Sequence, residues 1–169
     1  EAVLNLRQNY NLQFQMIDHL TIHSRGRGHS GPLPISGLDG KFSIEYCSAA
    51  ALLDGKIGIE TFTDNRRFSP DMEEALGKVR VVADETTQAI VTATARLKDG
   101  TIVSAECSAF RGSASNPMSR EERLEKIWDC SRRTLSERDA ERLLALLENL
   151  EHVSDICDIM EILRPSAPE

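Results

Sequence analysis

Two alternating stretches joined by a tight turn constrain this chain more than anything else in it. Along residues 88–97, Ala89, Val91, Ala93, Ala95 and Leu97 fall on one side, and Ile90, Thr92, Thr94 and Arg96 on the other. A period of two puts successive side chains on opposite faces of an extended backbone, so this segment is predicted as a half-buried strand. Lys98-Asp99-Gly100-Thr101 supplies the Asp-Gly pair that hairpin turns favour. Residues 102–109 return as the partner strand, with Val103, Ala105 and Cys107 on one face. A lone hairpin cannot hide its apolar face, so more strands or a layer of helices must cover it.

Candidates for both are present. Ile17–Ser24 alternates Leu20 and Ile22 with Thr21 and His23, and Val79–Ala83 is a second short β-rich run. Residues 1–10 resemble the end of an amphipathic helix, with Val3, Leu4 and Leu6 on its apolar side. Residues 25–40 hold five Gly and two Pro and are predicted as a loop. Residues 41–54 are predicted as a nearly all-apolar, hence buried, helix, with Phe42, Tyr46, Ala49 and Leu53 along one face. Ser69-Pro70 opens another helix to about Lys78, Ser as N-cap and Pro at the first position.

The C-terminal part is helical by pattern. Ser119–Glu122 and Ser136–Asp139 resemble capping boxes, the second with Asp in place of Glu. Leu124, Ile127 and Trp128 mark the first helix, and Ala140, Leu143, Leu144 and Leu147 the second. Ile156, Ile159, Met160 and Leu163 mark a short last helix that Pro165 stops. The pattern as a whole is α+β: a small antiparallel-containing sheet flanked by helices.

Composition bounds the partners. The chain has 169 residues, 40% hydrophobic and 28% charged, enough for one core without an apolar run of the roughly 20 residues that a membrane span needs. A net charge of −7 argues against nucleic acid and against an anionic membrane surface, both of which select clustered Lys and Arg. Cys47, Cys107, Cys130 and Cys157 are widely spaced, without a CxxC pair, so free and mostly buried thiols in the cytoplasm are expected. A start without Met, in mid-helix, is what a fragment would show.

The chemistry-bearing residues are sparse. His19, His23 and His29 lack a Cys or carboxylate to complete a metal set, so no metal is expected. Arg25-Gly26-Arg27-Gly28-His29 is too short for a nucleic-acid segment and is read first as a flexible basic loop; the lesser reading is a loop that offers its guanidinium groups to a substrate carboxylate. Gly26, Gly28, Gly31 and Gly37 do not have dinucleotide or phosphate-loop spacing.

Residues 39–55 (DGKFSIEYCSAAALLDG) resemble the C-terminal domain of the MmgE/PrpD family, with a basic-aromatic-Ser stretch, a Tyr, then an Ala-rich helix ending in Gly. Other features follow in the family's order. They are the strand at Ile17, Phe62 after the Ala-rich helix, Val79 to Asp84, the turn at Lys98-Asp99-Gly100, and Gly112 with Asn116-Pro117-Met118-Ser119, Glu122 and Lys126. The resemblance implies dehydratase, decarboxylase or epimerase chemistry beside a carboxylate of a di- or tricarboxylic acid, without a cofactor. It implies that residues 1–169 are a lid over a larger, all-helical upstream domain that carries the main acid/base groups. Within it, residues 1–16 would complete a preceding helix and connection, 17–118 the α+β core and 119–169 the terminal helices. By itself such a chain is expected to be inactive; the full protein is expected to be a homodimer in the cytoplasm, or in mitochondria if eukaryotic.

Tyr46 matches the Tyr that the family places at its substrate pocket, and is the candidate catalytic residue. Ser43, Lys41, Arg25 and Arg27 are the candidate substrate-binding residues. The alternative reading is a non-catalytic subunit that docks on a separate helical partner.

Overall fold

The computed structural model describes residues 1–25, 31–86 and 88–164. They fall into two compact units, residues 1–117 and residues 118–169.

The first unit is built on a four-stranded mixed sheet. Its strands are β1 (Ile17–Ser24), β2 (Val79–Ala83), β3 (Val91–Leu97) and β4 (Ile102–Cys107), in the order β2-β1-β3-β4. β1 runs parallel to β2 and antiparallel to β3, and β3 and β4 form the hairpin. The register explains the alternation. Val79, Leu20, Ala95 and Val103 lie in one cross-strand row, and Val81, Ile22, Ala93 and Ala105 in the next, all in the core except the half-buried Val103, which packs against it. The opposite face carries Arg80, Thr21, Thr94 and Ser104, then Val82, His23, Thr92 and Glu106. At the hairpin turn Gly100 has φ 88°, and Asp99 Oδ1 accepts the Thr101 N–H at 2.9 Å. The two strands are shorter than the alternation suggests. The regular ladder stops at Val91 and Cys107, and residues 88–90 form a bend in which the Ile90 N–H still reaches the Cys107 carbonyl at 3.0 Å.

Helices α1 (Ala2–Tyr10), α2 (Ile44–Asp54) and α4 (Pro70–Lys78) contribute to the same core, with the four-residue α3 (Asp64–Arg67) between α2 and α4. α1 packs on β3 and β4, and α2 on β2, α1 and α4. α2 begins three residues later than the apolar run. Residues Leu38–Phe42 wind a separate 3-10 turn, and Ser43 is extended (φ −103°, ψ 120°) and caps α2 with its hydroxyl. A Ser that can accept an N-terminal N–H ends the preceding turn and starts the helix. Phe42 is therefore 87% exposed, against the expectation that it lines the buried face, and Leu53 is only half-buried. Ser69 is the N-cap of α4, but its side chain makes no cap bond.

The second unit holds α5 (Arg120–Ser131), α6 (Glu137–Glu148) and α7 (Cys157–Leu163), and a small cluster of Leu143, Ile159 and Ile162 joins α6 to α7. The Ser119–Glu122 capping box closes in both directions; at α6 the Ser136 hydroxyl accepts the Asp139 N–H. α7 turns differently from the sequence expectation. Ile159 and Ile162 are buried, whereas Ile156, Met160 and Leu163 are exposed, as is Leu147 on α6. The four thiols are free, but only Cys107 is buried; Cys47 is half-buried and Cys130 and Cys157 are exposed, which corrects the expectation of mostly buried cysteines. No helix among the described residues is long and apolar enough to cross a membrane.

Candidate functional site

The start of α2 organises the site. The Ser43 oxygen accepts the Tyr46 N–H at 3.1 Å, and its hydroxyl donates to Glu45 Oε2 at 3.2 Å. That spends both functions of the hydroxyl on the cap. Glu45 is buried, and its other oxygen, Oε1, is shielded without a hydrogen-bond partner. An acidic residue in the first turn suits the helix dipole, but a buried orphan acceptor is costly.

Tyr46 is fully buried. Its ring lies against Gly40, where an added Cβ would stand 2.4 Å from the ring, and its centroid is 6.3 Å from that of Phe62. The phenol donates to the main-chain carbonyl of Thr61, in the 3-10 turn Ile59–Phe62. Burial pushes the phenol above its ordinary range, while Arg66 and Arg67 pull it back, so at neutral pH it is a donor.

A clamp of two arginines holds the surrounding turns. Arg66 makes a two-pronged bond to Asp54, Nε to Oδ2 at 3.0 Å and a terminal nitrogen to Oδ1 at 2.8 Å. Its remaining nitrogen donates to Ser69 Oγ at 2.7 Å and Asp71 Oδ1 at 2.9 Å. The end of α2 is thus tied to the start of α4. The buried Arg67 donates to the Pro34 carbonyl at 2.8 Å and pairs with Glu73. Asp64 Oδ1 accepts the Gly37 N–H at 2.7 Å, and Gly37 lies so close to the Thr63 backbone that a Cβ would come within 2.2 Å of it. At the far end of α2, Arg7 donates to the carbonyls of Leu52 and Leu53, placing a cation at the helix C-terminus.

Among the sequence-predicted residues, the structure brings Ser43 and Tyr46 into contact, and Lys41 reaches them only through Phe62, whose ring neighbours that of Tyr46. The Lys41 ammonium sits 5.6 Å from the Phe62 ring centroid. Arg25 is exposed just past β1, its N–H on the Ile90 carbonyl, and no hydrogen bond or ion pair joins it to Lys41, Ser43 or Tyr46. Arg27 and His29 lie outside the described residues. His19 and His23 contact Asp18 and Asp84 respectively. No group of three or more potential metal ligands occurs among the described residues. Sequence reasoning missed Glu45, Arg66 and Arg67. A Glu inside an apolar helix was a legible signal for the first; the arginines act through partners far along the chain.

The sequence model of the MmgE/PrpD C-terminal domain matches residues 1–152. The chain belongs to this family. Within it, the chain is 28% identical over 144 residues to cis-aconitate decarboxylase of Homo sapiens, and 27% identical over 140 residues to that of Mus musculus. Those alignments cover 82% and 79% of this chain but 30% and 28% of the two decarboxylases. This MmgE/PrpD domain therefore spans less than a third of the length of the curated relatives it matches. Its α+β architecture, with the Ala-rich helix packed beside the sheet, is the fold expected from the family resemblance.

Proposed function

We propose that this MmgE/PrpD domain serves as the C-terminal lid domain of a cofactor-independent lyase or isomerase acting on di- or tricarboxylic acids. The observation that carries this reading is the family match over residues 1–152, which includes the Ser43–Tyr46 start of the Ala-rich helix. The reaction class is proton removal beside a carboxylate, followed by loss of water, loss of carbon dioxide or return of the proton. That chemistry needs a base, an acid and donors for the developing negative charge. This domain contributes donors and shape. Lys41 offers an ammonium at the rim, and Tyr46 a phenol held protonated by burial. The main acid/base groups belong to an upstream helical domain, and Arg25 and Arg27 are candidates to meet a carboxylate from the loop after β1.

A second reading is favoured by one observation: Tyr46 is fully buried, its hydroxyl already bonded to Thr61. A non-catalytic docking subunit would use Tyr46 only as an internal anchor. Assays of the complete polypeptide with cis-aconitate and related acids separate the two. The lyase reading expects carbon dioxide release or dehydration by that polypeptide, reduced on Tyr46→Phe, and no turnover by the 169-residue chain alone. No turnover by the complete polypeptide would favour the docking subunit, and unchanged turnover in Tyr46→Phe would make Tyr46 an anchor within an active lyase.

A further inference from the structure

The sheet face that points away from the core, and so away from the buried Tyr46, carries its own cluster of polar groups. β1 and β2 run parallel, with Thr21 beside Arg80. His19 and Lys78, each two residues earlier, fall on the same face. These four residues, with Asp18 and Gly77, line an open cavity of about 550 Å³. Neighbouring strands lie about 4.8 Å apart, so all four side chains are within reach of one small molecule.

Local structure shapes the cavity. The pairing of β1 with β3 shifts register between Ile17 and His19. Such an irregularity re-aims the side chains beside it, and here Asp18 Oδ2 meets His19 Nδ1 at 3.2 Å. Lys78 is held by Glu74 at 2.9 Å and by the Phe14 ring, 4.3 Å from its ammonium, which leaves its side chain only 19% exposed. Arg80, by contrast, is exposed and has no ion pair among the described residues. Arg96, opposite His19 on β3, adds another exposed cation to this face. In a chain of net charge −7, cations gathered at a concavity focus a local field that attracts anions. A free guanidinium beside a hydroxyl matches the planar fork of a carboxylate or the edge of a phosphate.

We infer that this cavity is an anion site, separate from the candidate site at Tyr46, for a small oxyanion with at least two negative charges, a polycarboxylate or a phosphate. Arg80 is the principal anchor, Thr21 donates its hydroxyl, and Lys78 supplies a second, more rigid positive charge. The volume falls within the roughly 300–1,000 Å³ of small-molecule pockets. The site stands or falls independently of turnover.

Titration of the 169-residue chain with citrate and, separately, with inorganic phosphate, at constant ionic strength, tests this by nitrogen-15 NMR. Amide shifts of residues 18–22 and 77–81 are expected to move saturably, with half-saturation below about 1 mM. Arg80→Gln and Gly77→Glu are each expected to weaken binding by about tenfold or more. A Cβ added at Gly77 meets no atom within 4 Å, so Gly77→Glu sets a carboxylate at the cavity without displacing a neighbour. Arg138→Gln, which changes the net charge equally from α6, is expected to leave affinity unaltered. Ligand-free spectra of the variants that match the parent outside these residues show an intact fold. Saturation by citrate alone assigns a polycarboxylate, by phosphate alone a phosphate, and by both a site that reads charge; each supports the inference. Four results overturn it: no saturation by either anion up to about 20 mM, shifts centred on other residues, affinity unchanged in both Arg80→Gln and Gly77→Glu, or an equal loss in Arg138→Gln.

Discussion

The phenol of Tyr46 donates to the carbonyl of Thr61, fifteen residues further along the chain, and so fixes the first turn of α2 to the turn that follows its far end. One hydroxyl joins the candidate catalytic position to the backbone that walls it. Any chemistry at Tyr46 is therefore coupled to the position of residues 59–62.

Tyr46→Phe keeps the ring and leaves the Thr61 carbonyl without its donor. Such a loss costs about 1–2 kcal/mol, which lowers the melting temperature by several degrees in a domain this size. In the complete polypeptide, at a temperature where both forms are folded, kcat/KM is expected to fall by roughly tenfold or more. A drop in stability with unaltered kcat/KM would make Tyr46 an anchor only. Thermal unfolding and steady-state kinetics on the same preparation decide this.

Two glycine substitutions should differ in size for different reasons. Gly40→Ala drives a Cβ into the Tyr46 ring, 2.4 Å from its nearest atom, and is expected to cost about 2–3 kcal/mol. Gly100→Ala meets no atom within 4 Å but must hold φ 88°, for a cost of about 1 kcal/mol. Urea titration of both variants should rank Gly40→Ala as the more damaging.

The Arg66 clamp gives the first unit a dependence on acid. Burial raises the Asp71 carboxyl, but hydrogen bonds from Arg66 and Ser69 outweigh it and leave the group below its ordinary range. A carboxylate depressed in the folded state adds stability above its unfolded pKa of about 3.9, and that contribution drains away as pH falls toward the folded value. Arg66→Met removes the donor, so the variant is expected to be less stable at neutral pH and to lose less stability between about pH 5 and pH 2 than the parent. Parallel denaturation curves, shifted equally at every pH, would contradict this.

Thiol labelling under native, non-reducing conditions should modify Cys130 and Cys157 first, with Cys47 and Cys107 following only on unfolding. The Cys157 thiol is pushed up, chiefly by its contact with Asp155, so its labelling should accelerate as pH rises into the alkaline range. Mass spectrometry counts the labels; a total below four after denaturation would show a disulfide.

The sheet was largely legible because its signal is local. Ile17–Ser24 and Val79–Ala83 carry their own alternation, and Asp99-Gly100 its own turn chemistry. The site was legible only in part. Tyr46, Ser43 and Lys41 are consecutive enough to be read from one motif. Phe42 was misplaced because an apolar run does not reveal where a Ser cap interrupts it. Arg66 and Arg67 were invisible because their meaning lies in Asp54, Asp71, Pro34 and Glu73, which only the fold brings near. In α7, seven residues give too short a stretch for the apolar pattern to choose between Met160 and Ile162.

The parallel pairing of β1 with β2 has a kinetic consequence. Antiparallel neighbours such as β3 and β4 meet across a few residues, but Leu20 reaches Val79 only after everything between them has been gathered in. Closing so long a connection is entropically slow, and β1 meets β3 across a still longer one, Leu20 with Ala95. The hairpin is therefore expected to nucleate early and both pairings of β1 to form late. Tyr46, Gly40, Phe62 and Arg66 all lie on that connection. The turns around the candidate site are then expected to be assembled late during folding, together with the pairing of β1 and β2.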